Sequence, residues 1–352
     1  MAEEIMLDVR HLSKVFPIRR NLKQFIQNEP KEYVRAVEDV SFQIRKGETL
    51  GLVGESGCGK STLSRTILRL YRPDDGMILF HGVGDLARTE GENLKAARRK
   101  MQMVFQDPYS SLNPSMTIRQ MFYEILKVYR LCPKEQREST VLELLKQVGI
   151  PENALDKHPS DFSGGQRQRI CIARALVMKP ELIIADEPVS ALDMSVQAQI
   201  INLLLELKTQ RNLTMLFISH DLRVVQYLCD RVMVMYLGRI VEMGRAEEIF
   251  RQPAHPYTRI LMDAAPQLGK EKKQEETLIQ GETPSPIHVP SGCPFHPRCP
   301  YATELCKKVV PAVSMNEEGR MVRCHYPLVE GFRERKKGEP DFMPEPSMQK
   351  LQ

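Results

Sequence analysis

At 352 residues with 42% apolar side chains, the chain has room for one large domain plus an extension, and enough hydrophobic mass for a real core. Lys and Arg number 50 against 45 Asp and Glu, and the resulting net charge of +5 does not call for nucleic acid but permits a peripheral place on an anionic membrane. Met1-Ala2-Glu3-Glu4 is acidic and no apolar stretch follows, so no signal peptide is expected; the longest apolar runs, around 182–185 and 232–237, are far too short to cross a bilayer, so a soluble protein is expected.

In chain order, the first unusual segment lies between Phe16 and Ala36, where Arg19, Arg20, Lys23, Lys31 and Arg35 make a basic insertion between two expected strands. By itself it reads equally well as a solvated loop. Glu48–Val53 is a short apolar run, read as a buried strand, and Ser61–Leu68 reads as the start of a helix. Between them stands Gly54-Glu55-Ser56-Gly57-Cys58-Gly59-Lys60-Ser61, with Thr62 following, which fits the phosphate-loop pattern G-x-x-x-x-G-K-[ST] in its strand–loop–helix context. The glycines let backbone N–H groups turn toward phosphates, and the helix N-terminus adds a favourable dipole. Lys60 is expected on the β- and γ-phosphates and the Ser61 hydroxyl on Mg²⁺.

Residues 117–126 and 141–148 carry apolar side chains at helical spacing. Phe162-Ser163-Gly164-Gly165-Gln166 then opens a helix expected to run to Leu176, a second anion cradle that one nucleotide does not need. Glu181–Ala185 reads as a strand closing on Asp186 and Glu187. A phosphate-loop enzyme needs one carboxylate for the magnesium shell and another to polarise the attacking water; Asp186 suits the first task and Glu187 the second. Strict alternation would point them apart, but a strand terminus can release both toward one cleft.

Beyond residue 260 the composition shifts. Lys270–Glu276 is a charged linker, and the tail that follows is rich in Pro and Cys, with Cys293, Cys299, Cys306 and Cys324 spaced C-x5-C-x6-C-x17-C. Clustered cysteines in a cytosolic protein suggest a metal rather than disulfides. The spacing is not that of a zinc finger.

These motifs together resemble the ABC (ATP-binding cassette) ATPases over about residues 5–260. The resemblance implies an α/β P-loop NTPase fold: a RecA-like core with an antiparallel β subdomain and a helical subdomain at about 108–159, spanning 1–260, followed by a small Cys-rich extension at 261–352. It implies that Ser163–Gln166, with Phe162 where Leu is usual, are the signature that caps the γ-phosphate held by the phosphate loop of a second subunit. Gln106 resembles the Q-loop glutamine, a further magnesium contact; Ser190–Asp193 resembles the D-loop, and His220 the switch histidine that acts in catalysis with Glu187 and Gln106. Phe16 stands where the family places an adenine-stacking aromatic, with Tyr33 as a rival.

The Phe-Gln-Asp-Pro of 105–108 followed by Ser-Leu-Asn-Pro of 111–114 is similar to the peptide and nickel importer branch, and the insertion resembles that of the second ATPase subunit of dipeptide and oligopeptide importers. The implied cofactors are ATP and Mg²⁺, with a [4Fe–4S] cluster on Cys293, Cys299, Cys306 and Cys324; zinc, with His296 or His325 standing in, and free thiols are the alternatives. The implied partners are a second ABC ATPase subunit in a heterodimer, two transmembrane permeases and an extracytoplasmic substrate-binding protein, with no nucleic acid, and the place is the cytoplasmic face of the membrane. A nickel or glutathione importer is the nearest alternative. A soluble ABC ATPase acting on ribosomes or DNA fits less well, since the chain has one uninterrupted cassette and no heptad run.

Overall fold

The computed structural model describes residues 4–18, 20, 27, 30–264 and 283–334. Arg19, Lys23 and the charged linker at 270–276 lie outside the described residues. The chain divides into two compact units, one made of residues 1–6, 44–49 and 89–219, the other of residues 7–43, 50–88 and 220–352.

From the N-terminus the strands are β1 (Ile5–Pro17), β2 (Tyr33–Arg45) and β3 (Thr49–Val53), followed by helix α1 (Lys60–Ile67), β4 (Asp75–Phe80) and β5 (Gly84–Asp85). Next come α2 (Gly91–Lys100), β6 (Met101–Val104), α3 (Pro108–Ser111), α4 (Ile118–Val128), α5 (Arg137–Gln147) and α6 (Gly164–Leu176). The chain continues through β7 (Leu182–Asp186), α7 (Met194–Arg211), β8 (Thr214–Ile218), α8 (Leu222–Leu228), β9 (Arg231–Tyr236) and β10 (Arg239–Arg245). It closes with α9 (Ala246–Arg251), α10 (Pro256–Asp263), α11 (Glu304–Lys308) and the short strands β11 (Ser314–Met315), β12 (Met321–Val322) and β13 (Arg333–Glu334).

In the first unit β6, β7 and β8 run parallel in that order. β7 and β8 are buried at every position, which is why they read as unbroken apolar runs rather than as alternating ones. Helix α4 starts with a full capping box: the Thr117 hydroxyl accepts from the Gln120 N–H at 3.3 Å and the Gln120 side chain accepts from the Thr117 N–H at 2.9 Å. Its buried face is Ile118, Met121, Phe122 and Leu126, and α5 contributes Val141, Leu144 and Leu145. Each such side chain contributes roughly 1.5–3 kcal/mol of burial. These helices, expected from their periodicity, belong to the helical subdomain that the resemblance implied.

The second unit holds an antiparallel sheet in the order β2-β1-β4-β5 and a second set of strands in which β3 pairs in parallel with β9, while β9 pairs antiparallel with β10, β10 with β12, and β11 with both β12 and β13. β9 and β10 are joined by Leu237 and Gly238, both at positive φ, the geometry that suits a tight two-residue hairpin. The buried carboxylate of Glu242 on β10 accepts from the N–H groups of Ala254 and His255, each at 2.9 Å, and pairs with the Arg320 guanidinium, itself almost fully buried. A buried charge is tolerable only when its acceptor sites are filled in this way.

His255 is 1% exposed, and its Nδ1 accepts from the Tyr257 N–H at 3.0 Å to cap α10. Burial holds the ring neutral, its pKa pushed down to about 3. The unfolded chain takes up this proton near pH 6.5 and the folded one does not, so stability from this residue is full above that pH and is lost as pH falls toward 3. His255→Asn keeps an acceptor for the cap and cannot titrate. It should be less sensitive to acid than the native chain by about 2 kcal/mol between pH 7 and pH 5, read from melting temperatures at the two pH values; an equal acid-induced drop in both would remove His255 from the account.

Candidate functional site

The phosphate loop is built where β3 ends and α1 begins. Gly54, Gly57 and Gly59 all have positive φ, and Gly59 at φ 111° is the N-cap of α1. A Cβ on Gly54 would lie 2.3 Å from the Met235 carbonyl oxygen, and one on Gly59 would lie 2.0 Å from the Ala36 carbonyl oxygen. No side chain fits at either place, so the loop's backbone alone forms the cradle. Lys60 is buried, and its Nζ donates to the Gly54 and Glu55 carbonyls at 2.7 and 2.9 Å. Phe16, half-buried, stacks edge-on against Tyr71 with centroids 5.2 Å apart and carries Lys14 over its ring. Tyr33 is 44% exposed.

In the other unit β7 ends at the buried Asp186, and Glu187 follows with φ at 48°. This left-handed residue breaks the strand's alternation, so the two carboxylates are no longer bound to opposite faces. The Gln106 side-chain amide donates to Glu187 Oε2 at 3.1 Å, while the Glu187 N–H donates to the Ile218 carbonyl at 2.9 Å. His220 is exposed, and Asp221 after it caps α8, accepting from the Arg223 N–H at 2.9 Å.

Ser163 caps α6 in a reciprocal box with Gln166: Ser163 Oγ accepts from the Gln166 N–H at 3.3 Å and Gln166 Oε1 accepts from the Ser163 N–H at 3.0 Å. Gly165 allows close approach of α7, since a Cβ there would lie 2.3 Å from Val196 Cγ1. The arginines of this helix, which the motif does not explain, bind backbone. Arg167 donates to the carbonyls of Pro159 and Ser160 at 2.6 and 3.1 Å and lies over the Tyr109 ring; Arg169 donates to Val148 O at 2.8 Å; Arg174 donates to Ser111 O. They tie the signature helix to the helical subdomain. Asp193, at the end of the D-loop segment, caps α7 by accepting from the Val196 N–H at 3.0 Å.

The [4Fe–4S] expectation is overturned. Cys293, Cys299, Cys306 and Cys324 do line one pocket, but among the described residues no group of three or more His, Cys, Asp or Glu side chains is placed to hold a metal ion. The enclosed room is about 10 Å³, enough for about one water. Burial pushes the thiols of Cys293 and Cys324 up to about 11 and 12 and raises Cys299 as well. Zinc fares no better, since the absence of such a group covers His296 and His325 too; His296 Nδ1 lies 3.0 Å from Cys293 O and His325 Nε2 lies 2.9 Å from Val309 O. The four are free cysteines in an apolar wall.

A glycine cradle closed by a lysine, a strand ending in two carboxylates and a capped Ser-Gly-Gly-Gln helix define a P-loop ATPase of the ATP-binding cassette kind. The chain matches the family described as ABC transporter over residues 37–190 and the one described as oligopeptide/dipeptide transporter, C-terminal region, over 241–306. It is 50% identical over 322 residues, 92% of this chain and 90% of the relative, to a probable peptide ABC transporter ATP-binding protein of Sinorhizobium fredii. It is 49% identical over 326 residues, 92% of this chain and 98% of the relative, to the oligopeptide transport ATP-binding protein AppF of Bacillus subtilis. Among solved structures, cbiO1 of Clostridium perfringens, part of an ABC transporter complex, aligns at TM-score 0.59 and 29% identity over 71% of this chain and 92% of its own. A dimeric cassette bound to ADP and Pi aligns at TM-score 0.59 and 28% identity over 68% and 99%. The chain belongs to the ATP-binding subunits of ABC transporters and is an ATPase.

Gly59→Ala tests the cradle. The added methyl meets a backbone carbonyl and a positive φ, together about 2–3 kcal/mol of strain at the loop. MgATP binding measured by calorimetry should be lost while the rest of the chain stays folded by circular dichroism; native affinity in this variant would refute the loop geometry.

Proposed function

We propose that this subunit powers an ABC importer for di- and oligopeptides, hydrolysing ATP on the cytoplasmic face of the membrane, where permease subunits hold it peripherally. The observation that carries this reading is the near-full-length identity of 50% and 49% to proteins described as peptide and oligopeptide transport ATPases, joined to the family match at 241–306. Among the described residues no helix is long and apolar enough to cross a membrane, so translocation falls to other chains. In this reading residues 1–260 are the ATPase domain and 261–352 an extension of the peptide-importer type, rich in Cys. Two permeases, an extracytoplasmic binding protein and a second, related ATPase complete the machine.

The roles follow from the chemistry of each group. The backbone N–H groups of Gly54–Thr62 wrap the phosphates, and Lys60, now on two loop carbonyls, exchanges them for phosphate oxygens. Phe16 supplies the ring for adenine. The Ser61 hydroxyl, the Asp186 carboxylate and the Gln106 amide oxygen are hard donors of the kind magnesium accepts, and the amide nitrogen of Gln106 is already turned to Glu187. Bound magnesium supplies neutralisation of charge on the phosphates. Glu187 accepts a proton from the attacking water, and His220 orients the γ-phosphate. Ser163, Gly164, Gly165 and Gln166 offer the second cradle to the nucleotide of the partner ATPase, so that ATP joins the two subunits and hydrolysis parts them. The groove of about 460 Å³ lined by Tyr109–Pro114, Met116, Met121, Glu124, Ile125 and Arg174 suits a coupling helix from a permease.

Glu187→Gln should keep MgATP affinity within about threefold, because the phosphate loop is untouched, and should lower turnover by a factor of about 10³ in the complex reconstituted with permeases and second ATPase. Near-native turnover would reassign the base. In the same complex, binding protein loaded with peptides should raise ATP hydrolysis; stimulation by nickel or glutathione and not by peptides would overturn the substrate class.

A further inference from the structure

The second residue of the phosphate loop is engaged in a way that nucleotide binding alone does not explain. Glu55 carries a carboxylate inside a loop whose task is to gather the negative charge of a polyphosphate. Unpaired, that charge would oppose the ligand. It is paired across 243 residues of sequence by Arg298: Nη1 donates to Glu55 Oε2 and Nη2 to Oε1, both at 2.8 Å. This is the two-pronged geometry that makes guanidinium–carboxylate pairs strong and directional. Thr283 Oγ1 donates to the same Oε2 at 2.9 Å.

Arg298 has only 5% of its side chain exposed and Glu55 18%, so the pair is shielded from the screening that weakens surface ion pairs. Burial by itself would push the Glu55 carboxyl up, but the hydrogen bonds from Arg298 and Thr283 outweigh it and hold the group below its ordinary range. The backbone of the same residue is also fixed. Its N–H donates to Tyr257 Oη at 2.9 Å, and its carbonyl accepts from Lys60 Nζ at 2.9 Å. Glu55 thus links the phosphate-binding lysine on one side to the segment around Arg298 on the other.

We propose that Arg298 is a positioning residue for nucleotide: by neutralising and anchoring Glu55 it holds the phosphate loop in its binding form, and so makes the segment 283–299 a part of the ATP site. The proposal rests on the reading that the loop binds MgATP, and it goes beyond it by giving the C-terminal segment a share in affinity. Coupling of this kind is reciprocal: if the segment favours ATP, ATP must steady the segment.

The test uses the full-length chain, in which Trp is absent, so MgATP affinity is measured by calorimetry. Arg298→Ala should weaken MgATP about tenfold or more, since the carboxylate is left unpaired beside the phosphates. Glu55→Gln in the Arg298→Ala background should recover affinity to within about threefold of native, because the repulsive charge is gone. A staple with no bearing on nucleotide would show a lowered melting temperature, unchanged affinity and no rescue; that outcome overturns the proposal, as does a double variant that binds as weakly as Arg298→Ala. Should Arg298→Ala not fold, hydrogen exchange on the native chain decides: backbone amides of 292–299 should become more protected with MgATP, and unchanged exchange there overturns the coupling. Native protein and Lys60→Ala run alongside. Failure of the native chain to bind MgATP refutes the loop reading itself, whereas native binding without effect of Arg298 refutes only this one.

Discussion

A loop that binds phosphate through its own N–H groups must give up side chains, and the second unit is assembled around that constraint. The space that Cβ atoms would need at Gly54 and Gly59 is filled by the carbonyls of Met235 on β9 and Ala36 on β2. The hairpin turn between β9 and β10 adds a third hold, the Gly238 N–H donating to Cys58 O at 2.9 Å. Two separate stretches of chain, one at Ala36 and one at 235–238, thus press their backbones against one loop. The loop's glycines are as much a packing requirement as a conformational one, and the loop cannot shift without moving strands.

The carboxylate end shows the complementary arrangement, with strain in place of glycine. Glu187 is not a residue type that favours positive φ, and a left-handed side chain of this size costs of order 1–3 kcal/mol. Its N–H is nevertheless bonded to Ile218 O, its carbonyl accepts from Ser190 Oγ at 3.1 Å, and Gln106 holds its side chain. The surrounding bonds over-determine the conformation. The gain is that two adjacent carboxylates are not confined to opposite faces, as a regular strand would confine them.

What was legible in the sequence is what local backbone requirements write into it. The phosphate loop showed because only glycine fits its turns; β3 and β7 showed because buried parallel strands are largely apolar; α4 showed because its apolar face repeats at helical spacing. The signature helix was placed from Ser163 onward and starts there as expected. What was not legible depends on residues far apart in the chain. Nothing near Glu55 announces Arg298, and nothing in a C-terminal Phe-His-Pro-Arg announces a phosphate loop. The partners of the α6 arginines were equally hidden: Arg167, Arg169 and Arg174 are spent on backbone carbonyls of neighbouring segments. Only tertiary structure distinguishes a cation that meets a ligand from one that caps a carbonyl.

The cysteine tail is the instructive error. The inference to a metal began from four cysteines clustered in one short tail, and it treats that segment as if it stood alone. It does not. Phe295 is 1% exposed and packs against Tyr236 and Tyr257, each with centroids 5.3 Å away, and against His255 at 5.9 Å. Arg320 pairs with Glu242 of β10, Arg323 with Asp39 of β2 at 3.2 Å, and Arg298 with Glu55. Strand β12 extends the pairing of β10. The segment is ordered by a core it shares with β9, β10 and α10, and Cys293 and Cys306 are buried, with Cys299 and Cys324 half-buried, because a thiol is a small apolar side chain. Cysteine spacing records where such side chains sit along a chain; whether they gather around a metal is decided by the fold, and among the described residues no such group is formed.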